Sequence, residues 1–116
     1  MRDVFLAFAR VHVLHHAAQG PVYGVGVMKE LARHGYKIGP GTLYPLLHRI
    51  HAQGLLSLET EIVEGKVRKY YTITRKGRAV LDGIRPKLAE LAEEVLPSLP
   101  VPPTTAAKSL GRTSRD

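Results

Sequence analysis

Residues 40–77 restrict the fold of this chain more than any other part of it. They read PGTLYPLLHRIHAQGLLSLETEIVEGKVRKYYTITRKG. Apolar residues recur every three or four positions over residues 42–53, which predicts a helix. Two runs rich in β-branched and aromatic residues follow, Leu55–Val63 and Val67–Ile73, and the Glu64-Gly65-Lys66 segment between them predicts a turn that joins two strands into a hairpin. The stretch therefore predicts a helix, then a hairpin, then the start of another helix.

Two more helices are predicted ahead of this stretch. Over residues 3–18 the apolar side chains have helical spacing, and Gly20-Pro21 ends the run. Residues 23–34 form a shorter apolar stripe that Gly24 and Gly26 weaken. The connection GYKIGPGT, with its glycines and proline, favours a turn between two short helices set at an angle. This order of elements predicts a mainly α fold with a small β-hairpin: a winged helix-turn-helix in which the hairpin is the wing.

The helix over residues 42–53 is expected to present the contact surface of such a fold. Thr42 is its expected cap, and Pro45 is expected in the first turn, where a missing N–H costs little. The positions expected to be buried are Leu43, Leu46, Leu47 and Ile50. The positions expected to face outward are Tyr44, His48, Arg49 and His51.

The C-terminal part of the chain predicts a last helix that starts near Thr74. Its apolar residues follow the three- and four-residue spacing of a coiled-coil seam, at Leu81, Ile84, Leu88, Leu91 and Val95. Pro86 removes an amide and Gly83 weakens the same turn, so a kink or a break is expected near residues 83–86. Beyond Pro97 the chain is rich in Pro, Ser and Thr and is expected to be disordered.

The charge balance indicates a polyanionic partner. Seventeen Lys and Arg residues against ten Asp and Glu give a net charge of +7 and a pI near 10.0. Between Gly65 and Lys87 eight basic residues stand against one acid, Asp82, so this segment is expected to face phosphates. The absence of cysteine excludes disulfides and fits a cytoplasmic setting. No apolar run approaches the roughly 20 residues that span a bilayer, so no membrane partner is expected.

Placed on this fold, the basic residues suggest how DNA would be held. Lys66 and Arg68 would straddle a phosphate backbone or enter a minor groove. Amides near Gly41 and Thr42, at the start of the third helix, would bind a phosphate, and Tyr44 and His48 would lie near base edges. The alternative is that the basic hairpin is only a solvated surface.

Three histidines in the first helix raise the question of a metal site. His12 and His16 are four residues apart, a spacing that can chelate a divalent ion. No Asp, Glu or Cys lies nearby in sequence to complete the set of ligands, so we expect no metal and no cofactor. A pH-sensitive pair is the other reading, because imidazole titrates near neutrality. Neither a phosphate-binding loop, nor a nucleophile elbow, nor a pair of carboxylates in a pocket segment is recognisable, so the chain is not expected to be an enzyme.

The segments GPGTLYPLLHRIHAQGLL and EGKVRKYYTITRKG make the chain similar to the PadR family of bacterial transcriptional regulators, named for the phenolic acid decarboxylase repressor. The resemblance extends from about Val11 to Leu81. It implies a winged-helix homodimer, joined through the C-terminal helix and the first helix, that represses transcription from an inverted-repeat DNA operator. Matched by position, the DNA-binding residues would be Thr42, Tyr44, Pro45, Lys66, Arg68, Lys69, Tyr70 and Tyr71. His48 and Arg49, on the outward face of the same helix, are expected to join them. Because Tyr70 and Tyr71 alternate across the strand, one of them is expected to pack.

The resemblance also implies a place for a small aromatic effector that would act as inducer. It would lie between the first helix and the partner's C-terminal helix, with walls at Phe5, Phe8, His12, Leu88 and Leu91, although a closed dimer core remains the alternative. The expected domains are residues 1–77 as the DNA-binding domain, 78–97 as the dimerisation helix and 98–116 as the tail. The alternative function is an accessory winged-helix module that binds RNA or another protein without recognising an operator.

Overall fold

A computed structural model describes residues 1–96 of the chain. Four helices and three strands follow one another as α1 (Arg2–Gln19), β1 (Val22–Tyr23), α2 (Gly24–Arg33), α3 (Pro40–Ala52), β2 (Leu56–Val63), β3 (Lys66–Ile73) and α4 (Arg75–Val95). Met1–Pro86 form one compact unit, and a second begins at Lys87, within α4. The disorder expected beyond Pro97 lies outside the described residues. No helix in residues 1–96 is long and apolar enough to cross a membrane.

The three strands form one antiparallel sheet in the order β1-β3-β2. The predicted hairpin is present, but its turn is shorter than expected, because Val63 pairs with Lys66. Glu64 and Gly65 alone make the connection, with φ angles of 52° and 78°. Positive φ at both positions is the mark of the type I′ turn, whose twist matches that of paired strands. The sequence did not predict β1, since two residues are too short to show an alternating pattern.

The core lies beneath α3. Its four predicted core residues, Leu43, Leu46, Leu47 and Ile50, are at most 2% exposed, which confirms that prediction. The first helix contributes Ala9, Val13, Leu14 and Ala17 to the same cluster. Its large N-terminal residues Val4, Phe5 and Phe8 are exposed instead.

The third helix begins two residues earlier than predicted. Pro40 is its first residue, and Gly39 takes the capping position without a side-chain bond. The amides of Thr42 and Leu43 both donate to the Gly39 carbonyl, at 3.1 and 2.9 Å, so Thr42 is not the cap. Pro45 consequently lies inside the helix rather than in its first turn. It removes the amide that would bond the carbonyl of Gly41 and leaves that acceptor to a partner outside the helix.

The last helix starts at a well-formed cap. The Thr74 hydroxyl accepts the Gly77 amide at 2.9 Å and donates to the Gly54 carbonyl at 2.6 Å, which ties the start of α4 to the end of α3. Gly77 is buried, and a Cβ there would overlap the carbonyl oxygen of Leu55. The helix therefore needs glycine at this position.

Of the kink or break expected near residues 83–86, the break is wrong, because α4 is continuous from Arg75 to Val95. Pro86 deprives the carbonyl of Asp82 of its helical partner. Both residues are exposed, so water can satisfy that carbonyl at little cost. Arg85 donates to the Asp82 carboxylate at 3.0 Å across the same turn.

Candidate nucleic-acid interface

A groove of about 830 Å³ runs between the start of α2, the outer face of α3 and the wing. Tyr44 and His48 line it from α3, Lys29 from α2, and Lys66, Arg68 and Lys69 from the wing. Residues that are far apart in sequence but were singled out from the recognition-helix and wing motifs thus share one surface. The three basic residues of the wing therefore line the same groove as α3, the helix that would read bases.

Tyr44 occupies a defined place in this groove. Its side chain is 43% exposed, and its ring lies on Gly24, the first residue of α2. A Cβ at Gly24 would lie 2.6 Å from Cε1 of that ring, closer than carbon atoms pack. Gly24 appeared in the sequence only as a residue that weakens the second helix, but in the structure it makes room for Tyr44.

The other predicted residues of α3 divide by exposure. Pro45, His48 and Arg49 are exposed, whereas Thr42 and His51 are half-buried. The Gly41 amide has no acceptor within the helix, since it belongs to the first turn, and Pro40 has no N–H to offer. The start of α3 therefore presents the Gly41 amide and the dipole of the helix to an anion.

The two tyrosines of the wing point to opposite faces of the sheet. Tyr71 is 6% exposed, and burial, with a smaller effect of Tyr44, raises the pKa of its hydroxyl. Tyr70 is half-buried on the other face, which agrees with the expectation that one member of the pair packs. Lys69 is two residues before Tyr71 and shares its face, next to α3.

Arg68 is held in place by two aromatic side chains. Its guanidinium carbon lies 4.5 Å from the centre of the Tyr23 ring, and Nη1 donates to the Tyr70 hydroxyl at 3.4 Å. That hydrogen bond raises the pKa of Arg68. Together the two contacts orient the side chain before any partner arrives. Tyr23 was missed in the sequence, because only the pairing of β1 with β3 brings it to Tyr70.

The basic residues between Gly65 and Lys87 do not form one surface. The wing group of Lys66, Arg68 and Lys69 lines the groove, whereas the others lie beyond the far end of β3. There Arg78 donates to the carbonyl of Ala18 at 3.3 Å, and Arg85 pairs with Asp82. The expectation that the whole segment faces phosphates is therefore too broad.

The predicted effector walls are mostly exposed. The side-chain exposures of Phe5, Phe8, Leu88 and Leu91 lie between 36% and 52%. Phe5 also contacts Tyr36, with ring centres 4.5 Å apart. Side chains this exposed would need a second surface to enclose a ligand.

A helix-turn-helix followed by a cationic two-stranded wing defines the class of winged-helix DNA-binding proteins. The model of the protein family described as "Transcriptional regulator PadR-like family" matches residues 13–83 of this chain. Over 96 residues the chain is 51% identical to the "Transcriptional regulator Rv3488" of Mycobacterium tuberculosis, a match that covers 83% of this chain and 90% of that protein. The chain belongs to the PadR-like family of transcriptional regulators. It is a DNA-binding regulator and not an enzyme.

Solved structures of similar proteins share the fold. A PadR-family regulator from Eggerthella lenta superposes with a TM-score of 0.72 at 35% identity, covering 80% of this chain and 82% of that one. A PadR-like regulator from Bacillus cereus gives a TM-score of 0.68 at 30% identity, covering 74% and 85%. The predicted winged-helix fold and the resemblance stated from the two motifs are confirmed.

Proposed function

We propose that the protein is a homodimeric repressor that binds an inverted-repeat operator. Each α3 would enter a major groove, and each wing would hold the flanking backbone. The half-sites would be about one helical turn apart, roughly 10 base pairs. The groove between α3 and the wing carries this proposal, because it combines an exposed helix face with three cations beside it.

Within this arrangement the residues have different tasks. Tyr44, His48 and Arg49 are exposed on α3 and would read base edges, where an arginine can bond guanine through two donors. Thr42 and Pro45 would fix the approach of the helix to the backbone. The Gly41 amide would add a bond to a phosphate.

The wing would supply the phosphate contacts. Lys66 and Lys69 are exposed and would neutralise phosphates, as would Arg68, whose orientation is already set by Tyr23. Tyr70 would bond a phosphate or keep Arg68 in place. Tyr71 is buried, so its proposed share in DNA binding is to support Tyr44 from below.

The second copy would be joined through α4 and α1. Leu88, Leu91 and Val95 are exposed on α4 at three- and four-residue spacing, and such a stripe becomes stable when a second helix covers it. An aromatic inducer would occupy a cavity completed by the partner, with Phe5, Phe8, His12, Leu88 and Leu91 as its walls. Binding of the inducer would change the distance between the α3 helices of the two copies.

Selection of bound sequences from a random DNA pool tests the proposal. We expect a palindromic motif whose half-sites are about 10 base pairs apart. Binding of RNA in preference to DNA, or a single unpaired half-site, would contradict it. Placing the motif ahead of a reporter gene, with and without the protein, then distinguishes a repressor from an activator.

A further inference from the structure

Four potential metal ligands meet where α1 crosses the end of α2, away from the DNA groove. His12 and His16 lie on one face of α1, Glu30 lies on α2, and His34 follows its last residue. The ligand nitrogens of the three histidines all lie within 4.8 Å of one another. The acidic residue missing from the sequence around α1 is thus supplied by a different helix.

The three imidazoles are stacked rather than spread apart. The rings of His12 and His34 have centres 4.8 Å apart and are tilted by 21°, and those of His12 and His16 are 6.2 Å apart and tilted by 11°. Imidazole lone pairs lie in the plane of the ring, so these near-parallel rings would turn about their Cβ–Cγ bonds to direct their nitrogens at one ion. Neighbouring nitrogens at this spacing repel one another when protonated, but they can share one cation when neutral.

The structure leaves one of these nitrogens unsatisfied. Nε2 of His16 is buried and has no hydrogen-bond partner among the described residues. Its nearest acid is Oε2 of Glu30 at 3.8 Å, and the same oxygen lies 3.3 Å from Nε2 of His34. Two ligands of one tetrahedral zinc ion, each about 2.0 to 2.1 Å from it, lie roughly 3.3 Å apart. Glu30 and His34 already have this spacing, whereas Glu30 and His16 are farther apart and the histidine nitrogens lie within 4.8 Å of one another, so the side chains would move inward around a bound ion.

The charge states also suit a cation. Burial lowers the pKa of His12, and the neighbouring imidazoles lower it further. Burial likewise lowers the pKa of His16 against the opposing pull of Glu30, so both rings offer lone pairs near neutral pH. For Glu30, desolvation raises the pKa, but the neighbouring Arg33 lowers it and the net pKa is below the usual value, so the side chain is held as a carboxylate.

Arg33 orients the carboxylate of Glu30. Its Nη1 donates to both oxygens, at 3.0 and 3.1 Å. A carboxylate oxygen has two lone pairs, so Oε2 can accept from Arg33 and still face the imidazoles. Outer partners that hold a ligand in this way are typical of metal sites in proteins.

We propose that His12, His16, His34 and Glu30 form a binding site for one divalent transition-metal ion of the zinc type. Three imidazoles and one carboxylate are a donor set that Zn²⁺, Co²⁺ and Ni²⁺ accept, whereas Mg²⁺ and Ca²⁺ prefer oxygen. An ion here would link α1 to α2, the first helix of the helix-turn-helix.

The test is titration of the untagged full chain with Zn²⁺ by calorimetry and with Co²⁺ by visible absorption. We expect one ion per chain and the intense visible bands of tetrahedral Co²⁺. At a free Zn²⁺ concentration about a hundred times Kd, the Tm should rise by on the order of 10 °C. His16→Gln and Glu30→Gln should each weaken binding at least roughly tenfold.

His34→Ala and His15→Ala make the test specific. His34 is 42% exposed, so its removal leaves the fold intact while it deletes a ligand, and binding should weaken as in His16→Gln. His15 lies beside His16 but outside the group of three nitrogens, so His15→Ala should bind like the natural chain. The proposal would be overturned if His34→Ala and His15→Ala lost the same metal affinity. More than one ion per chain, or the absence of a tetrahedral Co²⁺ spectrum, would also overturn it. These measurements contain no DNA, so they are independent of the operator model.

Discussion

The two exposed lysines of the wing allow a quantitative test of the groove as a DNA site. Lys66 and Lys69 are exposed and line the groove, and each phosphate that a protein neutralises adds about 0.9 to the slope of log affinity against log salt. Replacing both by Ala should lower the slope by roughly 1.8. Between about 50 and 200 mM salt, the affinity advantage of the natural protein over the variant should therefore shrink about twelvefold.

A matched pair of charges provides the control. Arg75 and Lys76 are exposed at the start of α4, beyond the far end of β3, and replacing both by Ala removes the same net charge. We expect that variant to keep the natural slope within about 0.5, because distant surface charges are screened at these salt concentrations. Fluorescence anisotropy with the selected operator measures both slopes. Equal slope losses in the two variants would refute the groove and leave only a general effect of net charge.

Three further predictions concern single side chains. Gly24→Ala should push aside the ring of Tyr44 and reduce affinity for the operator more than for random DNA, with unfolding changed by less than about 1 kcal/mol; equal losses on both DNAs would contradict the base-reading role. Gly77→Ala places a methyl group against the carbonyl of Leu55 and should cost about 1–3 kcal/mol or more in urea unfolding, so an unchanged midpoint would show that α4 can shift. Folding raises the pKa of the Tyr71 hydroxyl. The contribution of the neutral hydroxyl to the free energy of unfolding is therefore complete below about pH 10 and is lost as the pH rises through the pKa of the folded state. Tyr71→Phe should therefore lose less stability than the natural protein between about pH 9 and 11, as measured by urea midpoints at both values.

Much of the fold could be predicted because its signals are local. The buried leucines of α3 follow a helical repeat, and the Glu64-Gly65 pair suits a tight hairpin turn. The errors were local as well. The start of α3 was placed at Thr42 because its side chain can cap a helix, whereas backbone bonds to Gly39 begin the helix earlier. The break near Pro86 was expected from the proline and Gly83, without knowing that Asp82, whose carbonyl loses its helical partner, is exposed.

Residues of the proposed sites could be singled out from the sequence only where they lie in one motif. Tyr44 and Lys69 could be singled out from the recognition-helix and wing segments. The support of Tyr44 by Gly24 and the stacking of Arg68 on Tyr23 could not, since both join residues from separate elements. The α1 histidines likewise gained His34 and Glu30 only through the packing of α2.

The sequence by itself determined the order of the four helices and the hairpin, the buried face of α3 and the cationic wing, because periodicity, turn chemistry and charge are properties of neighbouring residues. Only the tertiary structure decided which cations share a surface and which histidines meet. Those outcomes depend on how helices and strands distant in the chain pack against one another, and on small residues such as Gly24 that permit close approach. The winged-helix class could therefore be predicted from the sequence, whereas the position of Tyr44 and the histidine cluster could be found only from the tertiary structure.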